Sequence, residues 1–195
     1  MFDVIEKFEE QISDFFDSPF AVATDSCTHA IELCLRLRNI KEATTPRHTY
    51  ISVPFTFKKL DIKYKWTDEQ WRDYYYIGNT KIIDGAVYWQ KGGYIKGTLM
   101  CISFQHKKHL KLGRGGIILC DDYDDKEALK KMSYDGRDLR RPWMEQNIDT
   151  IGYHYYMTPE TAQQGIADLP KAKNTMPRAW NWKDYPDLSK MDVFK

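Results

Sequence analysis

The sequence predicts an α/β fold, and three observations carry that prediction. Residues 99–102 and 117–120 are short apolar runs around a polar, glycine-rich loop, residues 103–116, and read as two buried strands joined by a functional loop. Residues 20–23 form another apolar run, which passes through a small polar turn into a helical stretch at 30–37. Phe2, Ile5, Phe8, Ile12, Phe15 and Phe16, with acids between them, give residues 1–17 the stripe of an amphipathic helix that stops near Asp17-Ser18-Pro19.

A chain of 195 residues, 42% hydrophobic and 14% aromatic, is expected to form one domain around a real core. Its 29 basic and 28 acidic residues leave a net charge of +1, which argues against a general nucleic-acid or membrane-surface binder. No run approaches the roughly 18 apolar residues of a membrane helix. The start, Met1-Phe2-Asp3-Val4, is amphipathic and acidic, unlike a secretion signal. Cys27, Cys34, Cys101 and Cys120 lack zinc spacing, and three of them sit in apolar segments, which predicts reduced thiols in a cytoplasmic protein. The five histidines are scattered and make no metal constellation.

Between the first strand and helix lies Thr24-Asp25-Ser26-Cys27-Thr28-His29. A helix start at the end of a strand offers unpaired N–H groups and a positive dipole end, so it can hold an anion, with Ser26 and Thr28 adding hydroxyls. The plainer reading is N-capping by Asp25 or Ser26. Residues 39–45 read as a polar connector. Within 49–60, Thr49 could cap a helix that Pro54 should kink or delay. Residues 67–70 look like another helix start. Residues 74–77 and 81–83 read as strands around a Gly78-Asn79 turn, and Asp84 follows directly. A carboxylate at the C-terminal end of a buried strand lies where α/β sheets bind ligands, although a surface aspartate reads equally well. Gly92-Gly93 marks a turn before the strand that enters the glycine-rich loop. Beyond residue 120 the expectations are a helix at 124–132, a turn at Asp135-Gly136 and an irregular aromatic stretch at 140–157. A helix at 159–169 should follow, with Thr158 as N-cap and Pro159 at its first position. The tail from Lys171 is rich in Pro, Trp, Lys and Asp.

The loop 103–116, taken alone, reads as a basic hairpin turn. Its neighbours change that reading. Ser103-Phe104, Lys108, Leu110, Gly113 and Gly115-Gly116 carry a specific spacing; the turn Ser26-Cys27-Thr28, the segment Pro46-Arg47-His48-Thr49-Tyr50, the strand end Ile82-Ile83-Asp84-Gly85-Ala86 and the run from Gly152 to Met157 occur around it in a fixed order. In these segments the chain resembles the DegT/DnrJ/StrS aminotransferases, pyridoxal-phosphate enzymes of fold type I that mostly aminate nucleotide-linked keto-sugars. The resemblance covers most of residues 8–170. It implies a three-layer α/β/α sandwich with a mostly parallel sheet, a minimised large domain with the C-terminal small domain missing. It divides the chain into a pyridoxal-phosphate domain, 1–170, and a tail, 171–195, packed on that domain or on a partner subunit.

The same resemblance assigns roles. Lys108 would bond to the cofactor and then carry protons; adjacent Lys107 is the rival, and the five-residue step from Ser103 favours Lys108. Burial beside Lys107 and Lys111 should depress the pKa of that amine. Asp84 would pair with the pyridine nitrogen. Ser26, Thr28, Ser103 and the backbone N–H of Cys27 would hold the phosphate, Tyr50 would stack on the ring, and His154 would reach the phosphate in a partner subunit. His106 and His109 flank the lysine, and His109 reads as solvent-exposed. Four positions depart from the family pattern: Cys27 replaces a glycine, His154 an asparagine and Tyr156 an arginine, and Val87 stands where Gln or His meets the ring hydroxyl. The implied activity is amino transfer from glutamate to a keto-sugar, nucleotide-linked, by a homodimer with shared active sites. A pyridoxal-phosphate elimination or dehydration is the alternative within that chemistry, and the retained Lys108 argues against the sugar-dehydratase form, where histidine replaces it. A non-catalytic binding or regulatory protein on the same fold is the alternative outside it, motivated by Val87 and the missing small domain.

Overall fold

The computed structural model describes residues 2–195. Helix α1 spans Asp3–Phe16 and buries Ile5, Phe8, Ile12, Phe15 and Phe16 on one stripe. It stops where Asp17 turns left-handed (φ 59°), and Ser18 then donates its hydroxyl to the carbonyls of Phe20 and Cys120. Strand β1 (Phe20–Thr24) and helix α2 (Cys27–Leu37) follow. The helix begins at Cys27, three residues before the apolar stretch suggests, because Ser26 caps it by accepting the His29 N–H.

The stretch read as a connector is strand β2 (Glu42–Pro46), paired in parallel with β3 (Lys63–Thr67) across helix α3 (Ser52–Lys59). This pair forms a small sheet of its own, so its polar composition reflects an open edge. Pro54 neither kinks nor delays α3: it occupies the first turn, where its missing N–H has no intrahelical acceptor to lose. Residues 67–70 start no helix; the chain there leaves β3 and runs irregularly toward β4 (Tyr75–Tyr76).

The main sheet also contains β5 (Ile82–Asp84), β6 (Leu99–Ser103) and β7 (Gly116–Cys120), in the order β1-β7-β6-β5-β4. The α/β class and its three layers are present. Val22, Cys101 and Ile118 pack under α2 and α4 (Tyr123–Ser133), whereas Ala21, Ile102 and Ile117 pack under α1 and α5 (Pro159–Lys173). The sheet is mixed where a mostly parallel one is expected: β1–β7, β7–β6 and β5–β4 are antiparallel and only β5–β6 is parallel. Connection length explains part of this. A parallel neighbour needs a crossover of a dozen or more residues: residues 77–81 are too few, so β4 and β5 must pair antiparallel, whereas residues 85–98 are enough for the parallel β5–β6 pair. The pairings nonetheless leave β1, β5 and β6 running in one direction, so Thr24, Asp84 and Ser103 all end on one edge.

Helix α5 runs four residues beyond the predicted end at 169, carrying Pro170 within it. At Gly165 an added Cβ would lie 2.4 Å from the Phe8 ring, so the glycine lets α1 and α5 meet. After α5 the tail forms short 3-10 turns and is anchored by backbone hydrogen bonds: Leu188 N–H to Arg47 O (2.9 Å), Trp182 N–H to Trp71 O (3.2 Å) and Asp73 N–H to Trp180 O (3.0 Å). Leu188 is buried beneath it. No helix of the described residues is long and apolar enough to cross a membrane.

Candidate active site

The edge where β1, β5 and β6 end opens into a cavity of about 460 Å³, within the range of small-molecule sites. Ser26, Cys27, Thr28, Tyr50, Asp84, Ser103 and Lys108 all line it. Of the predicted site residues only His154 lies elsewhere. Its side chain is 70% exposed and pairs with Asp135 at 3.0 Å, away from the cavity of its own chain.

One wall is the first turn of α2. Its leading N–H groups have no intrahelical acceptor and point, with the positive dipole end, at whatever lies before the helix. Gly116, the first residue of β7, makes this wall possible. A Cβ there would sit 2.4 Å from the Cys27 backbone nitrogen, so only glycine lets the lysine loop close against the helix start. The Thr28 hydroxyl donates to Ser52 Oγ at 2.9 Å, tying α2 to α3. Ser103 sits buried at the end of β6, across from Gly116. Tyr50 is half exposed at the rim.

The opposite wall carries the carboxylate. Asp84 is buried, and each of its oxygens has a donor: the Tyr75 hydroxyl at 2.7 Å and the Ala86 N–H at 3.0 Å. Tyr75 in turn accepts from the Thr49 hydroxyl at 2.5 Å. Tyr75 and Asp84 are register partners of the β4–β5 hairpin, so their side chains leave the sheet on the same face. Burial raises the Asp84 carboxyl above the usual carboxylate value, against the lowering effect of the Tyr75 and Ala86 hydrogen bonds and the Lys108 charge. Burial likewise pushes the Tyr75 phenol and the Cys27 thiol well up, so both stay protonated.

Lys108 enters from the loop between β6 and β7, which folds on itself through Lys108 N–H to Gln105 O (2.8 Å) and Leu112 N–H to Phe104 O (2.9 Å). Burial pushes its ammonium below the ordinary lysine value and the Lys107 charge adds to this, while Asp84 and Cys27 oppose. Lys107 is exposed and does not line the cavity; Lys111 lies in a neighbouring one. His109 differs from its solvent-facing expectation: it is half-buried and donates through Nε2 to Ala172 O at 2.9 Å, fastening the loop to α5. Val87 stands apart from the main cavity, in a small cleft with Tyr50, Asp84 and Tyr185.

Four contributors were not singled out for the site from sequence. Tyr75 and Thr49 clamp Asp84; the first was signalled by the hairpin pattern around Gly78-Asn79, which pairs Tyr75 with Asp84. Arg114 lines the cavity and holds Asp25 Oδ2 at 2.6 Å, and Tyr185 arrives from the tail. Arg114 stands within the loop 103–116, but its partner Asp25 is 89 positions away, and Tyr185 reaches the site only through long-range packing.

The DegT/DnrJ/EryC1/StrS aminotransferase family matches residues 2–63 and 85–187. The chain belongs to this family. Its interrupted match omits residues 64–84, the segment that contributes Tyr75 and Asp84. Among solved structures the chain is similar to AtS13 of Actinomadura melliaura (18% identity, TM-score 0.78, covering 87% of this chain and 60% of that one). It is also similar to PseC of Helicobacter pylori, an aminotransferase involved in pseudoaminic acid biosynthesis (16%, 0.72, 85% and 57%). A third is Spr1654 of Streptococcus pneumoniae, solved in a PLP form (16%, 0.71, 87% and 59%). At these identities the likeness shows a shared fold, and this chain spans about 60% of the length of those proteins. No curated protein matches the sequence.

Pyridoxal phosphate is the cofactor of this family, and the residues present fit it. The helix start that Gly116 leaves uncovered suits a phosphate, the Lys108 amine an aldehyde, and the clamped Asp84 a protonated ring nitrogen; the exposed Tyr50 ring suits an aromatic face.

Proposed function

We propose that the protein is a pyridoxal-phosphate-dependent aminotransferase that moves an amino group from glutamate to a keto-sugar, nucleotide-linked, in the cytoplasm. One observation carries the reading: Lys108, Asp84 and the α2 start line a single cavity. When bound, pyridoxal phosphate supplies an aldehyde that exchanges amines and a ring that withdraws electrons. The chain supplies the rest. Burial favours the neutral amine of Lys108, which can act as nucleophile and as proton carrier. The Asp84 carboxylate is an oriented acceptor for a ring N–H, held by Tyr75 and Ala86. The first turn of α2, with Ser26, Thr28 and Ser103, binds the phosphate, and Tyr50 covers the ring.

The reading extends to a homodimer. His154 is exposed and away from its own cavity, the placement that a phosphate donor to a partner's site needs. On this reading residues 1–170 form the cofactor domain and the tail from 171 closes its side.

The test is direct. Protein mixed with pyridoxal phosphate should absorb in the visible, borohydride should leave the cofactor covalently on Lys108, and glutamate should shift the spectrum. Protein that takes up no cofactor would sink the proposal; a spectrum indifferent to glutamate would remove amino transfer from that donor. Sedimentation should give a dimer, and His154→Ala should weaken cofactor affinity without altering it.

A further inference from the structure

A cleft of about 10 Å³, scarcely room for one water, adjoins the main cavity along Tyr50, Asp84 and Ala86, which line both. Val87 and the Tyr185 ring from the tail also line it. Several contacts hold that ring in place. His48 Nδ1 donates to the Tyr185 carbonyl at 2.8 Å, the Trp182 N–H to Trp71 O at 3.2 Å and the Leu188 N–H to Arg47 O at 2.9 Å. The Tyr185 and Trp71 rings pack with their centroids 5.5 Å apart.

The Tyr185 hydroxyl is left over. Tyr185 is half-buried, yet this hydroxyl has no hydrogen-bond partner among the described residues, whereas a phenol taken out of water normally finds one. Its polar neighbours in the cleft are already satisfied: Asp84 by Tyr75 and Ala86, Tyr75 by Thr49, and Trp71 Nε1 by His48 O. Val87 has no polar atom to offer. Burial pushes the Tyr185 phenol up, and the charges of Asp84, Asp184 and Cys27 add to this, against Arg178. Asp84 and Cys27 both line the main cavity, so the phenol is a protonated donor within the field of that site.

The shape of pyridoxal phosphate says which atom such a donor meets. The ring nitrogen and the aldehyde carbon lie at opposite ends of the ring, and the phosphate arm and the ring hydroxyl sit on opposite flanks of the aldehyde. With the nitrogen at Asp84, the aldehyde at Lys108 and the phosphate at the α2 start, the hydroxyl flank turns away from α2. No residue of α2 lines the cleft. We propose that Tyr185 donates a hydrogen bond to the ring hydroxyl oxygen of the cofactor, so that the tail completes the cofactor site. The inference rests on the proposed pyridoxal-phosphate reading and deepens it, by giving the tail a residue that touches the cofactor ring.

The test compares wild type with Tyr185→Phe, using pyridoxal phosphate and its deoxy analogue that lacks only the ring hydroxyl. Tyr185→Phe keeps the ring contacts and breaks no internal hydrogen bond, so its melting temperature should match the wild type. By fluorescence titration the variant should bind pyridoxal phosphate about tenfold more weakly and the deoxy analogue as before. A donor on the ring oxygen stabilises its anion, so its loss should also raise the pH midpoint of the visible band by about one unit. Unchanged pyridoxal-phosphate affinity, an unmoved midpoint, or equal loss for both ligands overturns the contact. Wild-type protein that gains no visible band removes the cofactor reading and this inference together; a visible band whose titration is identical in Tyr185→Phe removes this inference alone.

Discussion

The Tyr75 hydroxyl donates to Asp84 Oδ2 at 2.7 Å from the neighbouring strand of the β4–β5 hairpin, and Thr49 donates to Tyr75 in turn. A buried carboxylate is thereby held in one orientation at the cavity wall, by residues outside the lysine loop that carries the amine.

Tyr75→Phe removes that donor. The Asp84 carboxyl then rises further, because a hydrogen bond that lowers it is gone. Cofactor affinity should fall roughly tenfold, as expected for a lost hydrogen bond to a charged group. Its pH dependence should move upward, since protonated Asp84 is a poorer partner for a ring N–H. Fluorescence titration of pyridoxal phosphate across pH reads both effects; a variant with wild-type affinity and profile would show that Tyr75 serves only packing.

Asp84 also sets a sign for stability. Its folded-state pKa lies above its unfolded value, so the folded protein holds this proton more tightly, and stability declines as pH rises from about 4 through the folded pKa. Asp84→Asn lacks this slope. Urea unfolding of the cofactor-free proteins should therefore show the wild type gaining on the variant as pH falls.

Lys107 acts on Lys108 through charge alone. Lys107→Ala should keep borohydride fixation of the cofactor and move its pH midpoint upward, because a like charge that lowers the Lys108 pKa is removed. Lys108→Ala should abolish fixation. Mass spectrometry of the reduced, digested protein distinguishes the two, and fixation surviving in Lys108→Ala would transfer the role to Lys107.

Ser26→Ala removes the cap of α2, worth about 1 kcal/mol, and a hydroxyl at the proposed phosphate site. Pyridoxal phosphate should bind more weakly, whereas pyridoxal without phosphate should bind as before. Equal losses for both ligands would point to a disordered helix start.

Gly116→Ala brings a methyl group to 2.4 Å from the Cys27 backbone nitrogen. Backbone must move, so a loss of about 1–3 kcal/mol is expected. Thermal unfolding should report it, together with weaker binding of pyridoxal phosphate.

Much of this site was legible in sequence because its parts are local. Ser26 announces a cap, Asp84 ends an apolar run, and Lys108 lies at a set distance from Ser103 within one loop. Each depends on hydrogen bonds and side-chain periods that span a few residues. The reading failed where the cause lay elsewhere in the chain. Residues 42–46 look like a connector because their strand has one partner and an open edge. His109 looks exposed because its acceptor is Ala172, 63 positions away.

The sequence by itself therefore determined the α/β class and the polar capping turn before α2, and it narrowed the candidate amine to the adjacent Lys107 and Lys108, since residue type and short-range spacing suffice for them. Only the tertiary structure decided the strand directions, the clamp on Asp84 and the arrival of Tyr185 from the tail in the cleft beside it. The short link 77–81 makes β4 and β5 antiparallel, the pairing of β1 with β7 joins strands far apart in the chain, and the Tyr75 and Tyr185 contacts exist only once separate segments pack together. Burial decided the rest: it puts Lys108 and not Lys107 on the cavity wall and raises Asp84, and burial is a property of the folded chain, not of any one stretch.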